Sequence, residues 1–102
     1  MLNTIVSNKL SEIKNLFSQY KVKRAYAFGS VCTDKFNEES DIDLLISFQD
    51  GLNPIEYGDN YFSLVTALEK LFLRHVDLIT EPTLRNPYFI KSVNETKTSI
   101  YE

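Results

Sequence analysis

Two aspartates one residue apart, Asp41 and Asp43, stand at the start of an apolar run, IDLLISF. Alternate side chains of a strand share a face. The spacing therefore sets both carboxylates side by side and turns Ile42, Leu44 and Ile46 to the opposite face. Neighbouring carboxylates repel, and taking either out of water is costly without compensation. A hard divalent cation such as Mg²⁺ compensates best, because it takes oxygen ligands and keeps substrate phosphates in its shell. A third acid, Asp77, lies inside another apolar run, HVDLIT. Adjacent strands lie about 4.8 Å apart, so if the two runs are neighbours, Asp41, Asp43 and Asp77 can converge on one metal site. Such a site suits phosphoryl or nucleotidyl transfer with two metal ions, which stabilise the attacking and the leaving oxygen together. For each acid taken alone, a strand-end position or an ion pair with Arg24, Arg74 or His75 is the plainer account.

Gly29-Ser30 follows directly on a third run with strand character, VKRAYAF. Glycine lets the backbone approach a phosphate closely, N–H groups at the start of a helical turn attract anions, and a serine hydroxyl adds a donor. The pair occurs by chance in many loops, so its meaning rests on the acids that come after it. His75, the one histidine, reads as a strand-flanking surface residue, and Cys32 as a small packing residue without a base to activate it. Nothing in the sequence selects any of the six tyrosines as a group that stacks on a base.

The elements that must position these residues can be read along the chain. Leu2, Ile5, Val6, Leu10, Ile13, Leu16 and Phe17 recur at helical spacing and predict an amphipathic helix capped by Asn3 or Thr4. Residues 22–28 alternate as a strand, with Val22, Arg24, Tyr26 and Phe28 on one face and Lys23, Ala25 and Ala27 on the other. A short helix or turn and a polar loop over 30–40 lead into the Asp41–Phe48 strand. After the turn signals Asp50-Gly51 and Asn53-Pro54, residues 57–73 predict a second helix. Its apolar surface is wider than one stripe, as for a helix packed on a sheet or one that keeps a face for a partner. His75–Thr80 reads as a third strand, and Leu84–Tyr101 as a last helix interrupted early by Asn86-Pro87. The order predicts an α/β architecture, a small mixed β-sheet of three or four strands covered by helices.

The bulk properties narrow the field. A length of 102 residues suggests a single domain over 1–102, and 43% hydrophobic with 25% charged residues allows a real core. The net charge of −3 argues against a nucleic-acid partner, because such binders carry a basic face. One cysteine excludes an internal disulfide, no run approaches transmembrane length, and MLNTIVSNKL lacks the regions of a secretion signal. The expectation is a cytoplasmic protein without a membrane segment.

GSVCTDKFNEESDIDLLI resembles the signature of the nucleotidyltransferases of the DNA polymerase β superfamily: Gly-Ser, a short helix, then an Asp-x-Asp strand. The spacing is similar to that of the small stand-alone members, the minimal nucleotidyltransferases, and HVDLIT resembles the strand that brings their third carboxylate. The stretch from Asn86-Pro87 to SIYE resembles their closing helix. The resemblance implies the polymerase β palm-like fold, with Asp41, Asp43 and Asp77 as the catalytic and metal-holding residues. It implies Gly29, Ser30 and Thr33 at the phosphates, Mg²⁺ (two ions) as cofactor and ATP as substrate. For members of this size it also implies an antitoxin beside a HEPN-domain toxin, which it masks or tags with AMP on a tyrosine, in a homo- or hetero-oligomer. The sequence departs from the family pattern at Thr33-Asp34, where Arg-Gly is common. A lost cation of this kind typically costs about 1.5–3 kcal/mol of phosphate binding. Two other readings stand beside this one: a weakly catalytic module that neutralises a HEPN partner by contact, and a transferase for a small molecule such as an aminoglycoside. The last needs an acceptor-binding domain, for which this length leaves no room.

Overall fold

The computed structural model describes residues 2–102. A four-stranded sheet, ordered β3-β2-β1-β4, is built from β1 (Val22–Phe28), β2 (Ile42–Phe48), β3 (Val76–Thr80) and β4 (Thr98–Tyr101). β1 pairs antiparallel with β2 and β4, while β2 and β3 run parallel. The sheet is therefore mixed, as the sequence predicts.

One face carries the main core. Ile42, Leu44, Ile46 and Ala27 are fully buried there against Val6 of α1 (Thr4–Ser7), Ile13 and Phe17 of α2 (Leu10–Gln19), and Leu64 and Leu68 of α3 (Pro54–Phe72). Burying each large aliphatic or aromatic side chain contributes roughly 1.5–3 kcal/mol, so this layer carries most of the stability. The other face holds a smaller cluster, Phe28, Leu45 and Val93, under α4 (Pro87–Thr96), and leaves its acidic end open.

Four local expectations are corrected. The first amphipathic stretch is two helices, because the chain turns at Asn8 and Lys9 between them; Asn3 Oδ1 accepts from the Ile5 N–H as the cap. The second helix begins three residues earlier than its apolar pattern, since Asn53 caps the Glu56 N–H and Pro54 occupies the first turn. In β1 the alternation breaks at its start: the pairing slips between Val22 and Arg24, and Val22 joins the main core while Arg24 and Tyr26 face the other side. The last segment is not one helix. α4 ends at Thr96, and Thr98–Tyr101 adds the edge strand β4 to β1.

The wide face of α3 is divided. Leu64, Leu68 and Phe72 enter the core, whereas Ile55 and Phe62 remain 78% and 71% exposed. Among the described residues no helix is long and apolar enough to cross a membrane.

Candidate active site

The acids meet at one end of the sheet. Parallel pairing sets Asp43 of β2 directly beside Asp77 of β3, and antiparallel pairing sets Phe28 of β1 on its other side. Asp41 lies one residue before β2, with the Ile42 N–H donating to the His75 carbonyl. The neighbouring strands proposed from sequence are thus present, in register, with the alternation that puts the acids on the open face. Their burial differs from what an acid centred in an apolar strand suggests. Asp43 is half-buried, whereas Asp41 and Asp77 are exposed, because β3 is an edge strand.

Burial first, then the charges of Asp77 and Asp41, push the Asp43 carboxyl from 3.8 up to about 6, with His75 opposing weakly. Among the described residues none of the three carboxylates has an ion-pair partner. The cations considered from sequence are engaged elsewhere. Arg24 clamps Glu81 through Nε and Nη2 at 2.6–3.2 Å. Arg74 donates to the Asn37 and Ser40 carbonyls at 3.0 and 2.7 Å, fastening the loop that leads to Asp41, with its guanidinium 4.6 Å from the centre of the Phe36 ring. His75 Nδ1 lies 3.0 Å from Glu69 Oε2.

Gly29 opens the turn after β1 with a φ of +74°, and a Cβ there would lie 2.6 Å from Asp43 Oδ2. Its glycine identity is thus set by the acid itself as well as by the backbone. The Gly29 N–H donates to Thr96 Oγ1 at 2.8 Å, which ties the end of α4 to the turn. Ser30 is half-buried beside it, and Thr33 closes the short 3-10 turn Gly29–Cys32 by donating both its N–H and its hydroxyl to the Ser30 carbonyl. The groups expected at phosphate therefore also hold the turn together. Thr96 and Arg74, two supports of the site, carry no sequence signal: their partners lie 67 and 34–37 residues away.

Among the described residues no three His, Cys, Asp or Glu side chains form a ready-made metal cage. The donors nevertheless fit magnesium: they are oxygens only, one is half-buried and without a cation, and Mg²⁺ is ordinarily held by one or two carboxylates with substrate phosphates and water completing its shell.

Comparisons with known proteins give the family and the fold. Residues 11–102 match the model of the family described as polymerase beta, nucleotidyltransferase. A protein of Methanocaldococcus jannaschii, named as a candidate protein adenylyltransferase, is 38% identical over 94 residues, covering 84% of this chain and 92% of the relative. A solved structure of a candidate minimal nucleotidyltransferase superposes with a TM-score of 0.74 at 26% identity, covering 96% of this chain and 95% of the other. The same fold recurs, with a TM-score of 0.57 and 21% identity, in the complex of a tri-AMPylated HEPN toxin with an MNT antitoxin from Shewanella oneidensis, covering 92% of this chain and 70% of that one.

Proposed function

This chain belongs to the polymerase beta nucleotidyltransferase family, and from that premise we propose that it is a magnesium-dependent enzyme that moves AMP from ATP to a tyrosine hydroxyl of a partner protein. The observation that carries the reading is the Asp43–Asp77 register beside Gly29, an acidic pair without an ion-pair partner among the described residues.

Asp41 and Asp43 would hold magnesium, which when bound would supply charge that stabilises the attacking and leaving oxygens. Gly29, Ser30 and Thr33 line the β- and γ-phosphates, and the absence of a side chain at Gly29 lets a phosphate come close to Asp43. Asp77, exposed at the edge of the sheet, completes the metal site and accepts the hydrogen bond of the incoming hydroxyl. That oxygen bonds to the α-phosphorus as its proton passes to Asp77, the bond from the α-phosphorus to the bridging oxygen breaks, and pyrophosphate leaves.

The partner is a HEPN-domain toxin, neutralised by the modification, and the pair works in the cytoplasm. This follows the relative named for protein adenylylation and the fold shared with an MNT antitoxin bound to an AMPylated HEPN toxin. Ile55 and Phe62, exposed on α3, give a protein partner apolar surface to cover.

The test is label transfer from ATP labelled at its α-phosphate to the product of the adjacent gene, with Mg²⁺. Wild type labels the partner and Asp43→Ala does not; label transfer that survives in Asp43→Ala refutes the assignment. A second reading, neutralisation by contact alone, is favoured by Thr33-Asp34, where Thr33 stands in place of the cation and exposed Asp34 adds a negative charge. It requires that both proteins bind and silence the partner and neither labels it.

A further inference from the structure

We infer that Phe89, near the start of α4, is the platform on which the nucleobase of the nucleotide stacks. The inference rests on the transferase reading above and adds the residue that meets the base.

Four observations converge on Phe89. Phe28, the last residue of β1, is the cross-strand neighbour of Asp43, and such side chains share a face with Cβ atoms about 4.5–5.5 Å apart. The Phe89 ring stands on Phe28, with centroids 6.0 Å apart and planes at 80°. Phe28 is 5% exposed, whereas Phe89 is 40% exposed. The chain therefore places a part-exposed aromatic ring one strand pair and one ring contact away from Asp43. The far end of α4 is tied to the same site through the Thr96–Gly29 hydrogen bond, so the helix that carries the ring is held relative to the phosphate turn.

The edge-on contact with Phe28 explains the geometry on physical grounds. An aromatic pair prefers this arrangement to a face-to-face sandwich, and the 40% exposure of Phe89 leaves part of its ring open to a third ring. Tyr88, next in the chain, is 86% exposed. Stacking on an aromatic side chain accepts every base, because each has a π-face. The nucleotide is thus held by its phosphates at the acids and by the plane of its base at Phe89, with little choice between adenine and guanine.

The experiment is calorimetric binding of ATP, GTP and inorganic tripolyphosphate, each with Mg²⁺, to the wild type, Phe89→Leu and Phe89→Trp. Leucine keeps the apolar contact with Phe28 but has no π-face; tryptophan keeps both. Phe89→Leu should weaken ATP and GTP alike by roughly ten- to a hundredfold, Phe89→Trp should not, and tripolyphosphate should bind all three equally. A Phe89→Leu protein that binds ATP within twofold of wild type overturns the inference and leaves the transferase reading standing. Parallel weakening of ATP and tripolyphosphate also overturns it, since Phe89 would then only support the fold. A wild type that binds neither ATP nor tripolyphosphate refutes the transferase reading, and the platform with it.

Discussion

Replacing Asp43 by asparagine should make this protein more stable while removing its proposed chemistry. The carboxyl, held at about 6 against an ordinary 3.8, binds its proton in the folded chain over a pH range where the unfolded chain has released it. Stability therefore falls as pH rises from about 4 to about 6 and stays at the lower level above that. At about 1.4 kcal/mol per pH unit the full penalty at neutral pH would be near 3 kcal/mol. Asp43 is only half-buried, and solvent screening reduces this to about 1–2 kcal/mol. Asparagine has nearly the same shape and no charge to lose. In a domain of this size about 1 kcal/mol moves the unfolding midpoint by roughly 4–8 °C, so Asp43→Asn should melt about 5–15 °C above wild type at pH 7.5 in EDTA. The gap should close at pH 4, where wild-type Asp43 is protonated. Magnesium should narrow it at pH 7.5 by stabilising the wild type alone. Thermal unfolding followed by circular dichroism at the two pH values, with and without Mg²⁺, measures all of this. An Asp43→Asn protein that melts at or below the wild-type temperature at pH 7.5, or that gains equally at pH 4, refutes the account of Asp43 as a charge held at a cost.

Gly29→Ala should lose label transfer and about 1–2 kcal/mol of stability: its Cβ meets Asp43 Oδ2 at 2.6 Å, and the φ of +74° disfavours any side chain. Denaturant unfolding and the transfer assay check both, and unchanged activity would show that the turn is not the phosphate site. Glu81→Gln should destabilise at neutral pH. The hydrogen bonds from Arg24, and then from Ser47, hold the Glu81 carboxyl below the usual range, so its contribution is present above the ordinary carboxylate pKa and is lost as pH falls through the lowered one. A melting difference between Glu81→Gln and wild type that persists unchanged at pH 2–3 would contradict this.

The lesson about legibility lies in particular elements. The 2-residue period over Asp41–Phe48 identifies both β2 and the face its acids share, because backbone pleating acts within the strand itself. Asn3 and Asn53 cap as their residue types allow, for the same local reason. β4 was not legible: Thr98–Tyr101 is four residues long, directly follows a helix, and is held by pairing with β1 more than 70 residues earlier. The slip at Val22 is not legible in the sequence, because a bulge is set by the partner strand, and Val22 pairs with Phe48. Arg24 could be weighed as a partner for an aspartate, but its actual partner, Glu81, lies 57 residues away.

Side-chain types and their spacing alone put the chemistry on offer: three acids in two apolar runs, a Gly-Ser turn after a strand, and helices to cover a sheet. These follow from side-chain type and local period. The tertiary structure alone decided that β3 lies parallel to β2 in the register that sets Asp77 beside Asp43. It also decided that Gly29 presses against the Asp43 carboxylate, that Thr96 returns to hold the turn, and that Arg24, Arg74 and His75 are engaged elsewhere. Each of these joins residues far apart in the chain, and such contacts form only when burial of the common core brings the strands and helices together.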